Sequence, residues 1–129
     1  MSTVLPQISA RRIDTPPVCL ITLTGEHDLS TRPDVEVVLT DAVGSGDPVI
    51  VDLQPATFAD SSILDAIIRA GNAAGRRGLA VVLPGDGEVR RLFDLVDARA
   101  VLLTFPTLRL AVEWCYPSAQ VQHAQDEQE

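Results

Sequence analysis

Three polar side chains in a row, Asp60, Ser61 and Ser62, separate Phe58-Ala59 from an apolar stretch that begins at Ile63. A carboxylate followed by two hydroxyls at the start of a helix can cap it: the carboxylate accepts hydrogen bonds from the orphan amides of the first turn, and the serines continue that polar end. A second polar cluster, Gly25-Glu26-His27-Asp28, adds an imidazole and two carboxylates. Ser61, His27 and Asp28 are the residue types of a hydrolytic triad, and Glu26, His27 and Asp28 those of a metal site. Both readings fail on pattern: no G-x-S-x-G elbow surrounds the serine, and neighbours such as His27 and Asp28 diverge in extended backbone. No second ligand cluster at suitable spacing completes a metal set. Gly75-Arg76-Arg77-Gly78 and Pro84-Gly85-Asp86-Gly87 lack the lysine of a P-loop, so no nucleotide or other cofactor is expected. His27, a lone histidine at the end of a strand, is expected at the surface.

The segments that must hold these clusters alternate between two patterns. Val18 to Gly25, Pro48 to Leu53, Leu79 to Gly85 and Ala100 to Phe105 are short, nearly continuous apolar runs and read as strands covered by helices; Gln7 to Arg12 is a weaker edge strand. Between them, Val35, Val38, Leu39 and Ala42 recur at helical spacing, with Pro33 near the first turn and Gly44 at the exit. The helix after Phe58 presents Leu64, Ile67, Ile68 and Gly71, and Arg76 and Arg77 suit its negative C-terminal end. Val89, Leu92, Phe93 and Val96 mark a third helix, and Leu108, Ala111, Val112 and Cys115 a fourth. Alternation of this kind predicts one α/β domain with a mixed, mostly parallel sheet of about five strands and about four helices. It spans residues 1–117, and the polar, acidic residues 118–129 form a solvated tail. Ile63, one position before Leu64, falls at the margin of the apolar face and is expected to point outward or be half-buried.

Charge narrows the partners. Eighteen acidic residues against ten basic ones, all arginine, give a net charge of -8, which repels a phosphate backbone, so no nucleic acid is expected. No apolar run approaches the roughly 18 residues that cross a bilayer, and the N-terminus has no secretory layout, so a cytoplasmic protein off the membrane is expected. Cys19 and Cys115 lie far apart in apolar segments and read as small buried hydrophobes, not as a disulfide or metal pair.

Three motifs in order then carry a family likeness: the turn at Gly25, Glu26 and Asp28; F-x-D-S-S at Phe58, Asp60, Ser61 and Ser62; and V-x-R-L-F-D from Val89 to Asp94. With the alternation of elements around them, from about Ile8 to Tyr116, the chain resembles the STAS domain of sulphate transporters and anti-sigma factor antagonists. The resemblance is to the stand-alone bacterial antagonists. It implies a regulatory protein, not an enzyme. The unmodified form would bind an anti-sigma factor serine kinase and free a sigma factor. Phosphorylation of Ser61, the serine directly after the aspartate, would end that binding, and a serine phosphatase would restore it. The partner surface implied comprises Asp28, Asp60, Ser61, Ser62 and Ile63. Two residues depart from the family pattern: Ile63 stands where glycine is usual, and His27 where an apolar residue is usual. The alternative is an interaction or scaffold module that works without phosphorylation.

Overall fold

A long second strand organises everything that follows it. In the computed structural model, which describes residues 5–75 and 78–116, strand β1 (Gln7–Asp14) pairs antiparallel with β2 (Pro17–His27). Helix α1 (Arg32–Gly44) then leads into β3 (Val49–Asp52), which lies parallel to β2 with Cys19 opposite Val49. After a turn at Leu53 to Pro55 the chain resumes alongside β2 as β4 (Ala56–Ala59), with His27 opposite Ala59. The pairing offset grows from 49 − 19 = 30 to 59 − 27 = 32, so two extra residues are taken up where the ladder breaks. Helix α2 (Ser61–Ala74), β5 (Leu79–Val82), α3 (Gly87–Leu95), a 3₁₀ turn at Ala98–Ala100, β6 (Thr104–Phe105) and α4 (Leu108–Cys115) complete the fold. The six-stranded sheet runs in the order β1-β2-β3-β5-β6, with β4 against β2, and only β1 is antiparallel to its neighbour.

Alternation along the strands divides the interior in two. Ile21, Leu23, Val49, Val51 and Val81 face the side covered by α1, α2 and α3, where Leu39, Ile63, Ile67 and Phe93 complete the larger core. Val18, Leu20, Ile50, Ala80 and Val82 face the other side, which α4 covers with Ala111 and Cys115. Strands buried on both faces are why these runs are apolar at nearly every position.

The predicted α/β architecture is the observed one, with three local differences. β4 is an additional strand. The run Ala100 to Phe105 is strand only at Thr104–Phe105, because Leu102 turns into the larger core while Val101 and Leu103 stay exposed around the 3₁₀ turn. Val96 lies beyond α3 and is half exposed, not part of its buried face. Of the cysteines, Cys115 is buried, whereas Cys19 is half-buried with its Sγ 3.3 Å from Ser45 Oγ. Arg76, Arg77 and the acidic tail at 118–129 lie outside the described residues. No helix among the described residues is long and apolar enough to cross a membrane.

Candidate functional site

Two parallel strands that end together bring the polar clusters together. β2 ends at His27 and β4 at Ala59, and the amide of Asp60 donates to the carbonyl of His27 at 3.3 Å. Residues 32 positions apart in sequence thus become neighbours, and the turn carrying Asp28 lies beside the start of α2. Helix α3, with its buried Val89 and Phe93, packs against β4 and backs the site without entering it.

Asp60 is the N-cap of α2. Its backbone is extended, at φ -98 and ψ -179, and its Oδ1 accepts from the amides of Ser62 at 3.0 Å and Ile63 at 3.3 Å. The same oxygen accepts the Ser62 hydroxyl, so the second serine is tied down and half-buried. Ser61 differs. It is exposed at the first helical position, and its hydroxyl has no hydrogen-bond partner among the described residues. Asp60→Ala is expected to cost about 0.5–2 kcal/mol through loss of the cap. A thermal melt checks this; an unchanged midpoint would show that the cap contributes nothing.

Two residues do not lie where the sequence reading puts them. Ile63 is 0% exposed, a member of the larger core, so the expectation of an outward or half-buried side chain is wrong. Its place is set by Ile67, four residues on and on the same helical face. With no exposed surface, its side chain offers nothing to a partner. The apolar face of α2 is accordingly centred on Ile63, Leu64, Ala66 and Ile67, while Ile68 and Gly71 are only partly covered.

His27 is also 0% exposed, not a surface residue. Its Nε2 lies 3.0 Å from the carbonyl of Thr24, an acceptor only, so Nε2 carries a proton and donates. Its Nδ1 meets Thr31 Oγ1 at 3.1 Å, and that oxygen also accepts the amide of Asp28 at 3.2 Å. The imidazole thus fastens the end of β2 to the first residue before α1. Both ring nitrogens are engaged away from Ser61, and Ser61, His27 and Asp28 do not form a triad.

Asp28 is exposed and forms its own turn, its Oδ1 accepting both the hydroxyl and the amide of Ser30. Those two bonds, the hydroxyl first, hold its carboxyl below the usual carboxylate range. Leu29 beside it is 69% exposed, and Phe58 on β4 is 39% exposed, so apolar surface flanks the carboxylates of Asp28 and Asp60.

One residue escaped the sequence reading. Arg32, first in α1, reaches across to α2: Nη1 donates to the carbonyl of Ser62 at 3.0 Å and Nη2 to Asp65 Oδ2 at 2.9 Å, while Nε pairs with Glu36. Glu36, then Asp65, raise its guanidinium above the ordinary arginine value. Asp65 also pairs with Arg69 at 2.9 Å, and Arg69, then Arg32, lower its carboxyl. A sequence signal existed. A cation in the first turn of a helix opposes the helix dipole, so an arginine there calls for a partner elsewhere.

Among the described residues no group of three His, Cys, Asp or Glu side chains gathers as a metal set. The STAS domain family model matches residues 7–111. An anti-sigma factor antagonist from Mycobacterium paratuberculosis is 25% identical, with a TM-score of 0.69 over 82% of this chain and 92% of that one. The unphosphorylated form of the anti-sigma factor antagonist SpoIIAA is 17% identical, with a TM-score of 0.59 over 82% of this chain and 94% of its own. The phosphorylated form of the Bacillus cell fate determinant SpoIIAA is 18% identical, with a TM-score of 0.57 over 84% and 97% of the two chains. No curated protein matches the chain. The match spans the hairpin, the turn at Asp28, the cap at Asp60 and the start of α4, and by it this chain belongs to the STAS domain family.

Proposed function

We propose that the protein is an anti-sigma factor antagonist, acting in the cytoplasm, whose unmodified form binds an anti-sigma factor serine kinase and so releases a sigma factor. The kinase transfers the γ-phosphoryl group of ATP to Ser61 Oγ; the hydroxyl proton leaves and ADP departs. A serine phosphatase reverses the modification. The observation that carries this reading is the contrast between the two serines: Ser62 is bound to Asp60, whereas the Ser61 hydroxyl is exposed at a helix start and bonded to none of the described residues.

The physics of the switch follows from position. The positive end of the α2 dipole accommodates an added phosphate, so the fold survives modification. SpoIIAA, which shares the fold, has been solved in unphosphorylated and phosphorylated forms, and that supports this reading. A partner docked over Asp28, Asp60, Ser61 and Ser62 meets a dianion added to two carboxylates, and repulsion and desolvation then oppose the contact. The exposed Leu29 and Phe58 supply the apolar part of that contact, and Ile63 supports it only by holding α2 in place.

The test is to incubate the protein with the anti-sigma kinases of its host and ATP, and to map any added phosphate by mass spectrometry. Ser61→Ala is expected to abolish modification and to change stability by less than about 1 kcal/mol. Phosphate on Ser62 at an unchanged rate would refute the assignment. Ser61→Asp brings about one negative charge where phosphate brings nearly two, so it is expected to weaken partner binding only in part. A partner that binds but never phosphorylates Ser61, at an affinity that Ser61→Asp leaves unchanged, would favour the scaffold role, with the exposed Leu29 and Phe58 as its apolar contact.

A further inference from the structure

We propose that Arg32 receives the phosphate on Ser61, giving up its bond to Asp65 and thereby carrying the modification from α2 to α1. The inference rests on Ser61 as the modified residue and concerns what the added group touches.

Ser61, Asp65 and Arg69 follow one another at intervals of four along α2 and form a column on one face. Cβ atoms so spaced are about 5–6 Å apart, and every Cα–Cβ bond of a helix leans toward its N-terminus. The Asp65 carboxylate therefore leans toward Ser61. Arg32 sits on that carboxylate through Nη2 and on the carbonyl of Ser62, the residue next to Ser61, through Nη1, which places its guanidinium at the first turn of α2. The carboxylates at this end of the sheet repel a phosphate: Asp60 caps α2, Asp28 is exposed on the turn after β2, and Asp65 and Glu36 are the acids that Arg32 now holds.

Competition decides the outcome. A phosphate offers three acceptor oxygens and nearly two negative charges where Asp65 offers one, and the planar guanidinium can take two of those oxygens at once. Asp65 does not become unpaired when Arg32 leaves, because Arg69 also holds it at 2.9 Å. Taken up through Nη1 and Nη2, the phosphate replaces both the Ser62 carbonyl and Asp65 as acceptors, while Nε keeps Glu36. Its effect is not confined to α2: Arg32 is the first residue of α1 and lines the groove of about 350 Å³ between α1 and α2, so moving its head changes the surface on both helices.

Phosphoserine placed at position 61 of the full chain by nonsense suppression tests this without any kinase, with ³¹P NMR following the phosphate through a pH titration. In the otherwise unaltered chain the phosphate is expected to titrate below its ordinary value of about 6, and Arg32→Gln should return it upward by on the order of half a unit or more. Arg32→Lys keeps the charge and loses the fork, so it should return the midpoint only part of the way. The Arg32 Nε–H resonance of the unaltered chain should shift with the same midpoint as the phosphate, a readout that holds even if Arg32→Gln fails to fold. Identical phosphate titrations with and without Arg32, or an Nε–H signal indifferent to the phosphate, would overturn the proposal. Because the phosphoserine is installed directly, failure of any kinase to modify Ser61 would count against the proposed function alone.

Discussion

Ile63→Ala is expected to destabilise the domain by about 2–5 kcal/mol, which in a domain of this size lowers the melting midpoint on the order of 10 °C or more. The side chain is fully buried in the larger core, and its removal loses both the transfer free energy of the deleted groups and the contacts of the walls around the space left behind. Alanine is itself a good helix former, so the loss reports packing and not propensity. In the folded fraction, affinity for an unmodified partner should be unchanged, since no surface of Ile63 is presented. A loss under about 1 kcal/mol would mean that the site collapses without cost and that Ile63 does not hold α2 to the sheet. Unchanged stability with weakened binding would restore it to the partner surface.

His27→Ala is expected to cost about 2–4 kcal/mol, by opening a cavity and leaving Thr24 and Thr31 without the ring between them. The two hydrogen bonds of the imidazole tie the end of β2 to the turn before α1, and the carbonyl of the same residue holds the amide of Asp60. Loosening this point should free the turn of Asp28 and the entry to α2 together. Partner affinity should therefore fall along with stability. His27→Leu refills most of the volume, and Thr31 keeps its bonds to Asp28, so it should recover roughly half or more of the loss. Denaturant melts of the two variants beside the unaltered chain would decide. If leucine proves as damaging as alanine, the hydrogen bonds outweigh the packing; if neither substitution matters, the imidazole is not a fastener.

Where sequence patterns were long, they were enough. The near-continuous apolar runs of β2, β3 and β5 and the periodic faces of α1 and α4 are local properties, and the structure reproduces them. The cap at Asp60 was also legible, because an acidic residue before two serines and an apolar run has few other uses at a helix start. What was not legible depends on tertiary arrangement. β4 is four residues long, follows Pro55, and exists because β2 extends far enough past β3 to offer it a ladder. The burial of His27 results from the same juxtaposition: a polar ring is tolerated in the interior only because Thr24 and Thr31 satisfy both its nitrogens. Ile63 was misplaced by reading the apolar face from Leu64 onward. Its pairing with Ile67 at a separation of four was visible, and it outweighs proximity to the serines. Arg32 bonds a carbonyl 30 residues away, and no periodicity records such a contact.

Among the described residues one helix, α4, covers the second core, and it is the expected place for the first local opening. α4 is eight residues long and is reached through the two-residue strand β6, so its helical state is sustained by packing and not by its own length. Amide exchange should therefore be faster in α4 than in β2 or β3, through openings that leave the end of the sheet bearing Ser61 intact. Each such opening uncovers Val18, Leu20, Ile50, Ala80 and Val82, a strip across the central strands. A protease that recognises apolar strands is expected to meet the protein there, at the face of the sheet opposite α2.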